Sequence, residues 1–150
     1  MNFYEFEQNN SGGTLIQNKK LCHRLFIEAR TQQKAEEKAI RMGVYYDGVA
    51  DGEDCACCGD RWSKPDELIF PYRYSSFDKK EAEEITDKYK TDYGKTTWNY
   101  GNTRNPDPTK YDVIFRDIES YAQYLTDNYS IGKGIDGRIY YNNGKVIDIK

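Results

Sequence analysis

Residues 21–46 read LCHRLFIEARTQQKAEEKAIRMGVYY and carry the clearest secondary-structure signals in the chain. Residues 21–29 predict a strand, because apolar side chains recur on one face when neighbouring residues point to opposite sides. Thr31 is a suitable N-cap for a following helix rich in helix-forming residues, and Gly43 is a suitable C-terminal stop. Residues 44–46 then predict another short strand. The segment is therefore expected to fold as strand, helix and strand.

The sequence before this segment adds one more strand. Residues 3–7 alternate as a strand does, and the Asn, Ser and Gly residues within 9–13 are typical of a turn. This pattern predicts a hairpin whose long second strand extends over residues 15–29. The N-terminal third, residues 1–50, is thus expected to be a ββαβ unit.

The later sequence predicts two further helices and a C-terminal β-hairpin. Asp78 precedes Glu81 by three residues, which is the spacing of a capping box at a helix N-terminus. Residues 111–116 predict a strand, and Asp117 can cap a third helix. Asn143 and Gly144 together form a strong signal for a tight hairpin turn.

The chain length of 150 residues fits one domain, which we expect to be of the α+β class. The ββαβ unit, residues 1–50, is followed by a cysteine-rich loop, residues 51–65. Residues 76–110 contain a helix and a long loop. The loop covers residues 91–110, which show neither the helical nor the strand periodicity of apolar side chains. A strand, a helix and the hairpin complete the domain over residues 111–150.

The charge balance argues against several classes of partner. With 22 basic and 25 acidic side chains, the formal net charge is -3, so no overall positive field favours nucleic acid or an anionic membrane. No apolar run approaches the roughly 20 residues that span a bilayer, and the N-terminus lacks signal-peptide features. These features predict a cytoplasmic protein that has no membrane partner.

Cysteine spacing indicates a candidate zinc site. Cys55, Cys58 and Gly59 resemble half of a zinc knuckle, in which two thiolates flank a tight turn. Tetrahedral zinc requires further ligands, and the candidates are Cys57, Cys22 and His23. The two alternatives are a structural zinc ion and reduced cysteines packed as small apolar side chains.

Acid–base and nucleophilic chemistry has little support in the sequence. The chain contains one histidine, His23, on the more apolar face of the predicted second strand. A Cys57 or Cys58 nucleophile with His23 as its base would need an orienting group and oxyanion donors, which no motif marks. A small enzyme acting on a nucleotide-like substrate is therefore the alternative hypothesis.

Aromatic and arginine side chains suggest a binding function. The chain has 14 tyrosines, whose rings can fill a core or stack on a base, while arginine can bind a phosphate or carboxylate. Many of these tyrosines are expected to fill the core. The candidate ligand-binding residues are Tyr45, Tyr46, Arg61, Trp62, Trp98, Tyr100 and Arg104.

Three segments, LCHRLFIEA, GVYYDG and DCACCGDRW, resemble small accessory proteins encoded by tailed bacteriophages. The resemblance covers about residues 1–63. It implies expression inside a host bacterium, where some small phage proteins antagonise host defence by sequestering nucleotide signals.

The preferred hypothesis is a non-enzymatic phage accessory protein that binds a nucleotide-like signal or a host protein. A zinc-stabilised protein-interaction module is a further alternative. Because tyrosine is enriched in protein interfaces, a homodimer is also compatible with the composition.

Overall fold

The computed structural model describes residues 1–9, 14–96, 107–130 and 134–150. Three helices and eight strands in two sheets within these residues confirm the predicted α+β class. The strands are β1 (Asn2–Glu7), β2 (Arg24–Ala29), β3 (Asp66–Leu68), β4 (Tyr72–Phe77), β5 (Asp92–Lys95), β6 (Tyr111–Phe115), β7 (Gly137–Tyr140) and β8 (Val146–Ile149). The helices are α1 (Gln32–Met42), α2 (Lys79–Tyr89) and α3 (Ile118–Tyr129). None of the described helices is long and apolar enough to cross a bilayer.

Contacts divide the chain into two compact units. Unit 1 comprises residues 1–69 and 125–150, and unit 2 comprises residues 70–124. Unit 1 is built on a five-stranded sheet with the order β3-β1-β2-β7-β8. Strand β2 is central: it pairs antiparallel with β1 and parallel with β7.

The helix predicted after β2 is confirmed. Thr31 accepts a hydrogen bond from the backbone N–H of Lys34, and Gly43 ends the helix with a φ of 116° that favours glycine. Ala35 and Ala39 are the buried residues of α1, which packs against β2. Small side chains at these two positions allow the helix to approach the sheet closely.

Unit 2 combines α2 and a three-stranded antiparallel sheet of order β4-β6-β5. Its aromatic side chains pack edge to face and tilted, with the Tyr72 and Tyr121 ring centroids 4.9 Å apart and those of Phe115 and Tyr124 5.3 Å apart. Such arrangements favour aromatic pairs. Several tyrosines therefore fill the core of this unit, as expected for a chain with few aliphatic residues.

The turn and capping predictions of the later sequence are also confirmed. Asp78 accepts from the backbone N–H of Glu81 at 2.8 Å, and Asp117 accepts from that of Ser120 at 2.9 Å. Strands β7 and β8 form the C-terminal hairpin, where Gly144 adopts a φ of 96°.

The N-terminal strands differ from their predicted positions. Residues 44–46 form no strand, because the backbone N–H of Val44 bonds to the Ala39 carbonyl at 3.0 Å and completes the end of α1. The strand that follows α1 is β3, which pairs with β1. The second strand begins at Arg24 instead of residue 15, so the element order ββαβ holds with different boundaries.

The predicted loop over residues 91–110 contains a strand, β5, at its beginning. Among the described strands it pairs with β6 alone, and it includes Gly94, which explains why no apolar alternation marked it in the sequence. Residues 97–106 of the predicted loop lie outside the described residues.

Candidate functional site

Three cysteines form the one group among the described residues that has metal-ligand geometry. The sulfur atoms of Cys55, Cys57 and Cys58 all lie within 4.8 Å of one another, and those of Cys57 and Cys58 are 3.6 Å apart. Thiolates at about 2.3 Å from a tetrahedral zinc ion are separated by about 3.8 Å. The three sulfur atoms are thus close enough to hold one metal ion, and all three residues are exposed.

A tight turn brings these sulfur atoms together. The backbone N–H groups of Cys58 and Gly59 donate to the Cys55 carbonyl at 3.2 and 3.1 Å, and Gly59 adopts a φ of 87°. Hydrogen bonds from the Cys57 thiol and from the backbone N–H groups of Cys57 and Cys58 lower the pKa of Cys55. The hydrogen bonds of Cys57 with Cys55 and Cys58 raise its own pKa to about 11. Cys55 therefore becomes a thiolate at lower pH than Cys57 does.

Tyr45 and Arg61, two of the residues predicted to bind a ligand, contact Asp54 in this loop. The fully buried Asp54 side chain accepts from the Tyr45 hydroxyl at 2.6 Å and from the backbone N–H of Arg61 at 2.8 Å. The Arg61 guanidinium donates to the Gln8 side chain at 2.8 Å and to the Thr14 carbonyl at 2.7 Å. We call Tyr45, Asp54 and Arg61 the loop brace. It connects the cysteine loop to the segment that follows β1.

Further contacts define the conformation of the same loop. Asn9 donates to the Cys58 carbonyl at 2.7 Å, and Asp60 accepts from the backbone N–H of Val49 at 2.9 Å. A Cβ atom at Gly48 would lie 1.8 Å from an Asp54 carboxylate oxygen, so glycine is required for this close approach. These protein contacts therefore help to define the shape of the loop.

The remaining predicted ligand-binding residues are placed as follows. Trp62 is 1 % exposed and belongs to the core of unit 1. Tyr46 lies under the Lys64 ammonium group, 4.2 Å from its ring centroid, and burial together with the Glu36 charge raises its pKa to about 12. The other three, Trp98, Tyr100 and Arg104, lie outside the described residues.

Neither of the two other proposed metal ligands joins the cysteine group. Cys22 is buried, its thiol donates to the Arg24 carbonyl at 3.2 Å, and burial raises its pKa to about 12. His23 contacts Asp136 at 3.0 Å. Both side chains are therefore engaged elsewhere in unit 1.

His23 belongs to a buried charged cluster, which we call the Asp136 cluster. One carboxylate oxygen of Asp136 contacts His23 Nδ1, and the other accepts from Arg24 at 2.9 Å and from Thr126 at 3.2 Å. His23 Nε2 lies 3.6 Å from a carboxylate oxygen of the exposed Glu7. These contacts tie β2 to the residue just before β7 and to the end of α3.

The protonation states in the Asp136 cluster follow from these contacts. Burial lowers the pKa of His23, but its hydrogen bonds with Asp136 and Glu7 outweigh burial, so the pKa is raised. Burial alone would raise the pKa of Asp136, but the hydrogen bond with His23 and the charges of His23 and Arg24 lower it. The histidine side chain is 1 % exposed, so its ring is buried from solvent.

Unit 1 also contains a basic cavity that local sequence patterns do not predict. Its volume is about 330 Å³. The lining residues are Lys20, Ile27, Lys38, Arg41, Met42, Tyr140, Tyr141, Asn142 and Gly144. Among the described residues, the lining thus includes three cationic residues, two tyrosines and no acidic residue. Such a space favours an anion.

Helix α1 and the β7–β8 hairpin position the polar groups of this basic cavity. Lys38 donates to the Glu28 carbonyl at 3.0 Å and to the Asn142 side chain at 2.8 Å, so its ammonium group is held in place. The Tyr140 hydroxyl donates to the Lys20 carbonyl at 2.6 Å. Lys38 and Arg41 lie three positions apart in α1, so their side chains are neighbours on the helix surface. This spacing is the feature of the local sequence that indicates a basic surface.

Comparison with known proteins identifies a family but no characterised relative. A search of curated proteins and a search of solved structures each found no match. A family model described as a domain of unknown function, DUF7296, matches residues 1–149, and the chain therefore belongs to this family.

Proposed function

We propose that the protein is a non-enzymatic binding protein that captures a small, nucleotide-like anion in the basic cavity. The observation that carries the proposal is the convergence of Lys20, Lys38 and Arg41 with two tyrosines on one space whose described lining residues include no Asp or Glu. Its volume of about 330 Å³ is at the lower end of the range for small-molecule sites. This size suits a ligand of about one nucleotide.

The lining chemistry matches the two parts of such a ligand. Guanidinium and ammonium groups bind phosphate oxygens through charge-assisted hydrogen bonds. Tyrosine rings provide apolar faces on which a base can stack. Because Lys38 is already held by Glu28 and Asn142, little side-chain ordering is needed when the anion binds.

The residues that line the cavity also favour binding of the ligand without its chemical conversion. Within the part of the chain that the structure describes, the lining contains no imidazole, thiol or carboxylate side chain that could exchange a proton with the ligand near neutral pH. In the described part of the chain, His23 contacts Asp136 and lies outside the cysteine group, so no Cys–His pair supports the enzyme alternative.

The resemblance of residues 1–63 to phage accessory proteins supports a biological setting for this capture. In the cytoplasm of an infected bacterium, a binding protein of this kind would lower the free concentration of a nucleotide-like defence signal. We therefore propose host-defence antagonism by sequestration as the role of the protein.

We expect adenosine monophosphate to bind to the purified protein and Arg41→Ala to weaken its binding by about 10- to 100-fold, the loss of one charge-assisted hydrogen bond. Lys34→Ala is the matched control: this lysine is on the same helix, its side chain is 66 % exposed, and it is outside the cavity lining. Isothermal titration calorimetry measures both affinities, and mass spectrometry of the recovered nucleotide checks that it is unchanged. Equal losses in both variants, no binding to the wild type, or conversion of the nucleotide would contradict the proposal.

We also propose that Cys55, Cys57 and Cys58 bind a structural zinc ion, which would stabilise the loop as part of an interaction surface. Native mass spectrometry is expected to show one zinc ion per chain, lost in Cys58→Ser and retained in Cys22→Ser, because Cys22 is buried away from the group. A zinc-free wild type, or zinc retained by Cys58→Ser, would contradict this site. The same spectrum gives the number of subunits, and so it tests the homodimer with which the tyrosine content is compatible.

A further inference from the structure

We infer that the cysteine loop is a three-thiolate site at which a soft metal ion keeps one coordination position open to a donor from outside the chain. This inference rests on the proposed metal site and specifies which donor can occupy its fourth coordination position. A zinc ion with four protein ligands is closed and structural, whereas one with three protein ligands has a position for an exchangeable donor. The number of protein ligands therefore determines whether the metal ion can bind a donor from outside the chain.

The acidic residues beside the cysteines are already occupied. Both oxygens of Asp54 are used within the loop brace, by the Tyr45 hydroxyl and by the backbone N–H of Arg61. An oxygen of Asp60 accepts from the backbone N–H of Val49. Among the described residues, no His, Asp or Glu side chain joins the three sulfur atoms as a fourth ligand.

The ligand type selects the class of metal. Thiolates favour zinc, copper(I) and similar soft ions, while magnesium and calcium require oxygen ligands. The three cysteines are exposed, so an ion and a further donor can both reach them from solvent. Since the loop brace and Asn9 already impose the shape of the loop, metal binding needs little rearrangement.

Charge indicates the nature of the fourth donor. Three thiolates around a divalent ion leave one net negative charge at the site. Asp51 and Glu53 are exposed in the same loop and add further negative charge. A fourth thiolate would increase this repulsion, whereas a neutral imidazole would not. The site is therefore suited to the histidine side chain of a partner.

Cobalt(II) is a spectroscopic probe of this prediction, because its visible absorption responds to a change of ligand. The purified full chain is expected to bind one cobalt ion and to show a saturable shift of the visible bands when imidazole is added. Ethanethiol at the same concentration should cause a smaller shift. Cys22→Ser should behave as the wild type does, and Cys58→Ser should lose the cobalt spectrum.

The outcomes separate the two claims. Cobalt binding with bands that imidazole leaves unchanged would overturn the open position and leave the metal site intact. A larger response to ethanethiol would overturn the preference for a neutral donor. If the wild type binds neither cobalt nor zinc, the metal site itself is rejected together with this inference, while binding in the basic cavity is unaffected.

Discussion

Asp136→Asn is expected to lower the free energy of unfolding by about 3–5 kcal/mol, the usual cost of removing one partner from a buried ion pair. Asp136 is 6 % exposed and compensates two buried groups, the Arg24 guanidinium at 2.9 Å and the His23 ring at 3.0 Å. Asparagine preserves the side-chain shape but removes the buried negative partner of these cations, which keep the carboxylate of the exposed Glu7 at 3.6 and 3.8 Å. Urea unfolding followed by circular dichroism measures the loss.

Asp148→Asn provides the control for this experiment. Asp148 accepts from Arg138 at 3.0 Å, so it also forms an ion pair, but its side chain is 45 % exposed. Arg138 is buried, but water screens the half-exposed Asp148 carboxylate, so the expected loss is smaller than the about 3–5 kcal/mol of a fully buried pair. Similar losses from the two substitutions would show that burial of the Asp136 cluster does not control its energy.

The difference between wild type and Asp136→Asn should also depend on pH. The folded-state pKa of Asp136 is lowered, so its stabilisation is present above its unfolded pKa, about 3.9, and is lost as pH falls through the folded value. The folded-state pKa of His23 is raised, so its contribution is complete below about 6.5 and is lost as pH rises through the folded value. The largest difference is therefore expected between these limits, at about pH 5–6, and a constant difference would contradict the coupling.

Asp54→Asn is expected to lower the free energy of unfolding by about 3 kcal/mol and to weaken metal binding at the cysteine loop. The Asp54 side chain is fully buried, and its loss as a charged acceptor would leave the Tyr45 hydroxyl and the Arg61 backbone N–H with a weaker partner. Urea unfolding and zinc titration of the same sample measure the two effects.

Asp51→Asn is the matched control for the loop brace. This residue is exposed in the same loop, and surface substitutions of this kind usually change stability by no more than about 0.5 kcal/mol. If Asp54→Asn is as stable as Asp51→Asn and binds zinc as the wild type does, the loop brace has no role in shaping the cysteine loop.

Local sequence features predicted most of the secondary structure. Helix caps at Thr31 and Asp78 and the turn at Gly144 are confirmed, because each depends on residues within a few positions of one another. Strands without local signals were misplaced or missed. Strand β3 has three residues, and β4 has a register shift after Tyr74, so neither shows a clean alternation.

The candidate sites also differ in how far apart their residues lie in the sequence. Cys55, Cys57 and Cys58 are close in sequence, and their spacing was sufficient to predict a group able to hold a metal. The basic cavity combines residue 20, helix α1 and the turn after β7, and the first and last of these are more than 100 positions apart. Aromatic and arginine content could not reveal that Tyr45 and Arg61 both contact Asp54.

The sequence by itself determined the α+β class, the helix boundaries, the C-terminal hairpin and the clustered cysteines, since each of these depends on short-range backbone and side-chain preferences. Only the tertiary structure decided the partners of His23, the buried position of Asp136 and the lining of the basic cavity. The parallel pairing of β2 with β7 aligns Arg24 with Gly137 and so brings together residues more than 100 positions apart. Such pairing reflects packing of the whole sheet, and no local pattern of residues encodes it.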